Sequence, residues 1–325
     1  MSAVLVEVAL AGAAALFAVS IGAHYTGACM GMPVAAGAIG VTRALVVMAP
    51  LAVVGALVAS PRVIATVGTS ILPSGAVSVG VALAIVIAAL ALTSAYNLLA
   101  VPTSTIQILV FSAIGAGLAA GVAIDWATLG TLLLIWAIAP VATFGLAFLL
   151  VRFWGSRRPP TPSAAGGSAP LGGLAVAGLL AVGAGASFTM GANDVANAAG
   201  PLVMSGLFAV FVAGAIGAAG LAIGVLTWGR PLLRRVAFRI VRLDARMAIS
   251  AQLSQCAVVL LFVAFGFFTS LNQALVGAMI GAGVARRSSS IEWRAVRDIL
   301  VGWAVGPASG AALGFSAAWL FLHLG

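Results

Sequence analysis

The chain contains no lysine, and only 6% of its 325 residues are charged. Soluble domains carry about 25% charged residues. With 63% of residues hydrophobic, the polar surface is too small to cover a soluble fold. The sequence therefore predicts an all-α, multi-pass protein of the cell membrane, with the lipid bilayer as its surroundings. At about 20 apolar residues per crossing, its length has room for roughly ten crossing or re-entrant elements. Cysteine is equally scarce. Cys29 and Cys256 both lie in apolar runs without metal-ligand spacing, which excludes a disulfide framework or a zinc-type centre and leaves them as small buried hydrophobes. Two histidines and six acidic residues supply no general base and nucleophile pair of the kind an intramembrane enzyme needs. The net charge of +9 comes entirely from arginine. Those arginines sit in the gaps between apolar runs, the placement of cytoplasmic loops under the positive-inside rule, so no nucleic-acid partner is expected.

What the chain does contain is long apolar sequence, arranged twice. Apolar stretches fall near 3–22, 44–60, 76–101, 108–124 and 127–151, then near 171–192, 198–228, 251–268, 274–285 and 299–322. Met1–Ile21 lacks a basic leader region and reads as the first membrane helix, not as a signal peptide. Residues 152–170 are rich in Pro, Gly and Ser and have no periodicity, so they read as a linker. It divides a first repeat, 1–151, from a second, 171–325. Pro102–Gly117 (PTSTIQILVFSAIGAG) lies over Phe268–Gly283 (FTSLNQALVGAMIGAG) at an offset of 166. Ile124–Pro140 lies over Ile291–Pro307 at 167, and Gly22–Gly31 (GAHYTGACMG) over Gly191–Gly200 (GANDVANAAG) at 169. One order of motifs recurring at nearly one offset is an internal repeat. In transporters such repeats are often inverted about an axis in the membrane plane, with the site where broken helices meet.

The polar residues that interrupt this apolar background are the candidate site. Asn193, Asp194 and Asn197 stand in GANDVANAAGP with apolar sequence on both sides. An ionised carboxylate is costly in hydrocarbon, so an intramembrane Asp points to function. Asn and Asp are also good helix-capping types, and the spacing after Gly191 predicts a helix that breaks and restarts there. A helix start presents free N–H groups and a positive dipole end to an anion, while side-chain oxygens suit a small cation or a proton. A second interruption is Pro102-Thr103-Ser104-Thr105, mirrored by Thr269-Ser270 with Asn272. Hydroxyl and N–H donors serve a tetrahedral oxyanion where no cationic side chain is present, and the apolar run from Tyr96 to Gly117 reads as re-entrant. Two arginine clusters, within 228–250 and 286–297, read as loops on one membrane face. Asp125 and Glu292, each before a Trp, read as interfacial, as do Glu7 and His323. Asp244 and Asp298 read as partners of nearby arginines.

GANDVANA resembles the signature of the inorganic phosphate transporter (PiT) family, secondary transporters that couple phosphate, or in one branch sulfate, to Na⁺ or H⁺. PTSTIQ is similar to that family's PVSTTH element. The resemblance implies inverted halves with helical hairpins and alternating access, and it implies a homodimer. It also implies symport of a small inorganic oxyanion, phosphate first and sulfate as the alternative, without a resident cofactor. Thr103, Ser104, Thr105, Thr269, Ser270, Asn272, Asn193 and Asn197 would then bind the anion. Asp194, Asn193, Asn197, His24 and Tyr25 would handle the coupling cation or proton, with Asp194 the Na⁺ ligand if sodium is used. Three departures stand out. His24-Tyr25 replaces the family's first Asn-Asp, Ala28 its second Asn, and Gln107 and Gln273 stand where the family has His. Either His24 and Tyr25 still line the site, with His24 able to titrate near neutrality, or the first repeat is scaffold. Tyr25 also offers a donor where Asp would accept, which favours sulfate over a phosphate that must donate. A passive anion channel is the rival reading from another class.

Overall fold

The computed structural model describes residues 3–73, 77–99, 101–154, 171–236, 244–286 and 293–324, all of whose regular structure is helical. The first half contains α1 (Ala3–His24), α2 (Thr26–Ala35), α3 (Val41–Ala59), α4 (Pro61–Thr69), α5 (Val79–Leu99), α6 (Thr105–Ala120) and α7 (Trp126–Phe153). The second contains α8 (Gly173–Met204), α9 (Val210–Thr227), α10 (Gly229–Val236), α11 (Ala245–Ala264), α12 (Leu271–Ala285) and α13 (Trp293–Leu324). Among the described residues, eight helical spans are long and apolar enough to cross a membrane, and α6 and α12 are shorter apolar helices. That agrees with the number of elements expected from length. Val8, Leu134, Val141 and Phe211 point outward, as an outer face immersed in lipid requires.

Helices pack in matched pairs drawn from opposite halves. α3 packs on α8 and α9 on α1, while α6 packs on α13 and α12 on α7. Glycine makes the close packing possible. A Cβ at Gly22 would overlap the Leu221 carbonyl, and one at Gly224 the Val19 carbonyl. The α3–α8 pair repeats this: Gly191 abuts the Ala52 carbonyl and Gly55 the Phe188 carbonyl. In a bilayer, where lipid tails are as apolar as leucine, close backbone approach of this kind drives helix association.

Two expectations need correction. The predicted break at Asn193–Asp194 is absent, because α8 runs unbroken for 32 residues from Gly173 to Met204. The corresponding break falls instead in the first half, at Tyr25 between α1 and α2. The reason lies in how the amides are used. Asn competes with helical backbone when its side chain bonds locally, but the Asn193 side chain is committed to Thr269. The alanines around it then favour helix. Second, the basic stretch 228–250 is not all loop: α10 covers 229–236 and α11 begins at Ala245. Asp244 caps α11 through the Met247 N–H at 2.9 Å and pairs with Arg286 at 2.8 Å, as expected of an acid among arginines. Asp125 is exposed and caps α7 by accepting from the Ala127 and Thr128 N–H groups, and these bonds hold its carboxyl below the usual range. Of the expected linker 152–170, α7 takes in the first two residues, while 155–170, Arg239, Arg242, Arg287, Glu292 and the Asp298 side chain lie outside the described residues.

Candidate functional site

Both hairpin motifs become helix starts in the interior. After α5 the chain is non-helical from 101 to 104, and α6 begins at Thr105 with Ser104 as its cap. After α11 a turn leads to Ser270, which caps α12. Each serine hydroxyl accepts the N–H three residues on, Gln107 at 3.4 Å and Gln273 at 3.3 Å. The first two amides of each helix, Thr105 and Ile106 in α6 and Leu271 and Asn272 in α12, have no intrahelical acceptor. The two starts meet, since Gln107 and Gln273 form a reciprocal amide pair at 3.3 and 3.0 Å. Two positive dipole ends thus converge on one buried region.

Every candidate residue from the sequence is buried, with Asn193, Asp194, Asn197, Tyr25, Thr105 and Thr269 at 0% exposure. They gather into three connected groups. Asn193 binds the Thr269 residue twice, donating to its carbonyl at 2.8 Å and accepting its N–H at 3.1 Å. Thr105 Oγ1 takes a bond from Asn197 at 2.7 Å and lies 2.9 Å from the Tyr25 hydroxyl. His24 and Asn272 both reach Thr103, through contacts between 2.8 and 3.3 Å. The Thr103 hydroxyl itself lies against Gly306 of α13, so the backbone of Thr103 is what these residues hold.

Asp194 is the acid among them. Tyr25 and Asn193 flank it, yet neither carboxylate oxygen has a hydrogen bond, and Asn197 Oδ1 and the Thr103 and Thr269 hydroxyls are likewise unpartnered. A buried carboxylate is stable only when paired, coordinated or protonated. The unpartnered oxygens are hard donors, the type that suits Na⁺, and a proton would serve equally. Among the described residues no group of three or more His, Cys, Asp or Glu that could hold a metal ion comes together.

Some buried polar residues were not anticipated. Asn97 binds Ser20 and His24. In α11, Gln252 donates to the carbonyls of Ala28 and Cys29, and Gln255 donates to that of Leu271 at 3.1 Å. These glutamines tie α11 to the segment after the Tyr25 break and to the start of α12, while Gln252 Oε1 and Gln255 Oε1 stay unpartnered. Their sequence signal was the run AQLSQ, polar at three of five positions inside an apolar helix.

Comparison with known proteins follows the same lines. A family model described as the phosphate transporter family matches residues 21–165 and 172–314. The sulfate permease CysP of Bacillus subtilis is 29% identical over 312 residues, spanning 94% of this chain and 85% of its own length. Inorganic phosphate transporter 2-1, chloroplastic, of Arabidopsis thaliana is 32% identical over 151 residues, which take in 42% of this chain and 26% of that protein. A solved structure titled "The sodium-dependent phosphate transporter" superposes with a TM-score of 0.87, covering 98% of this chain and 99% of its own at 22% identity. The last likeness establishes the fold.

Proposed function

This chain belongs to the phosphate transporter family, and from that premise we propose that it is a symporter carrying inorganic phosphate with a monovalent cation by alternating access. It is a multi-pass integral membrane protein. The observation that carries the reading is the convergence of two buried helix starts beside one carboxylate without a hydrogen-bonded partner. The helix starts and their hydroxyls suit an oxyanion. The carboxylate opposes it, because two like charges 4 Å apart repel by about 4 kcal/mol at an effective dielectric near 20. A cation on Asp194 removes that opposition, so each charge favours entry of the other and transport is coupled. Na⁺ is the first choice: the oxygens of Asp194 and Asn197 suit it, and the superposed transporter is sodium-dependent by its title. H⁺ is the alternative.

The inverted-repeat arrangement belongs to the same proposal. Each half holds four long spans, and inversion requires an odd number of crossings. α6 rises about 24 Å at 1.5 Å per residue, and the non-helical residues 101–104 add at most about 13 Å. Together they are long enough for the hydrocarbon thickness of about 30 Å, so in this proposal the stretch expected to be re-entrant is instead a fifth crossing. The homodimer implied by the family resemblance is carried over with it.

Sulfate is the second reading. It is favoured by the near full-length likeness to a sulfate permease and by Tyr25, a donor where typical members have an acid. Phosphate keeps first place because Asp194 can accept a hydrogen bond from the hydroxyl of hydrogen phosphate, whereas sulfate has no hydrogen to donate. Uptake of labelled phosphate and labelled sulfate into proteoliposomes, under inward Na⁺ or H⁺ gradients, decides among these. Phosphate accumulation driven by Na⁺ and little affected by excess sulfate is expected. Equal flux with and without any cation gradient would replace the symporter by a passive channel.

A further inference from the structure

The two halves fix their helix starts with different residues. In the second half a single side chain suffices, because the Asn193 amide takes both the N–H and the C=O of Thr269, just before the Ser270 cap. The repeat places His24 at the position of Asn193 and Thr103 at that of Thr269. The Thr103 N–H meets His24 Nε2 at 3.3 Å. One imidazole nitrogen either accepts or donates, so His24 cannot hold both groups of Thr103. The carbonyl is taken instead by Asn272 Nδ2 at 2.8 Å. Asn272 comes from α12 of the other half, at the position where the first half has Ile106. The asymmetry has a simple cause, since the clamp on Thr269 is complete without a second residue.

The surrounding bonds settle the state of the ring. Asn97 Nδ2 donates to the Ser20 carbonyl at 2.9 Å and lies 3.0 Å from the Ser20 hydroxyl. This turns Asn97 Oδ1 toward His24 Nδ1, 2.6 Å away, so Nδ1 carries the proton. Nε2 then faces two donors, the Thr103 N–H and Asn272 Nδ2 at 3.1 Å. A proton on Nε2 would be set against both donors, even though the Thr103 carbonyl, which accepts from Asn272, lies 3.2 Å away.

We propose that His24 and Asn272 together form a clamp on the Thr103 backbone, doing jointly what Asn193 does alone at Thr269, with His24 acting as a neutral positioning residue. This rests on the reading above that the starts of α6 and α12 form the transport site. The first repeat is then a working half of that site with a substituted clamp, and Asn272 reaches the anion only through Thr103. The clamp also crosses between halves, so the start of α6 is held in place by α12.

The test uses the full chain in lipid nanodiscs and reads amide hydrogen exchange in the peptide containing Thr103, with the Thr269 peptide as internal control. Asn272→Leu is expected to speed exchange at Thr103 roughly tenfold or more, the effect of leaving a buried group unpaired, and to spare Thr269. Gln reaches as far as the imidazole Nε2 and carries both an acceptor and a donor. Adding His24→Gln to Asn272→Leu should therefore slow the exchange again. Independently, His24→Leu should speed it where His24→Gln does not. Unchanged exchange in Asn272→Leu, or a double variant no slower than Asn272→Leu alone, overturns the proposal. Binding of labelled phosphate and sulfate to the same samples separates the two readings. If wild type binds neither anion, the transport reading fails, while the clamp still stands or falls by exchange.

Discussion

Asn193 shows how a residue type can be legible while its use is not. Its amide, enclosed by apolar sequence, marked it as functional, and Asn beside Asp also suggested a helix cap. The capping expectation was wrong because the partner is Thr269, 76 residues away, and no local pattern encodes that distance. Thr103 and Asn272, expected as anion ligands, have hydrogen bonds at least as far away in sequence, the Thr103 backbone meeting His24 and Asn272. Asp194 was legible for a simpler reason: a lone acid among apolar residues has few uses besides charge. Replacing Asn193 by Leu keeps the size but strands the N–H and the carbonyl of Thr269 in a buried place. Each unpaired group costs about 1–3 kcal/mol, so Asn193→Leu should lower stability by several kcal/mol and weaken anion binding. Thermal unfolding with and without phosphate checks this. A melting temperature and phosphate shift equal to wild type would mean that the Thr269 backbone needs no clamp.

At the scale of elements, the repeat predicted which helices would be alike but not that they pack across halves. The small residues that permit such packing were visible as composition, since forty glycines suit close helix contact, yet no individual glycine could be assigned a partner. The structure assigns them. Gly191 of α8 abuts the Ala52 carbonyl of α3, while Gly12 of α1 has nothing within 4 Å of where a Cβ would sit. Gly191→Ala forces α3 and α8 apart, and overpacking of this kind costs about 1–3 kcal/mol or more. Gly12→Ala gains helix propensity and meets no clash. Yield and thermal stability in detergent should fall for the first variant and hold or rise for the second. Equal behaviour would show that the contact tolerates a methyl group.

For the molecule as a whole, the proposed symport rests its coupling on charge. Helix starts contributed by the two halves meet in a buried interior, and they add positive potential but no full positive charge. Asp194 adds a full negative one when ionised, and among the described residues it has no salt-bridge partner. An anion and Asp194 share this space favourably only with a cation or proton present. Linkage then requires that each ligand raise the affinity for the other by the same factor. The direct measurement is equilibrium binding of labelled phosphate to the purified protein across a Na⁺ series at fixed pH and across a pH series without Na⁺, for wild type and Asp194→Asn. Wild-type affinity is expected to rise tenfold or more with one of these cations, a coupling of about 1.4 kcal/mol or more, while Asp194→Asn binds phosphate with no such dependence. An Asp194→Asn protein whose phosphate affinity keeps the full wild-type response to the same cation would contradict charge coupling through Asp194.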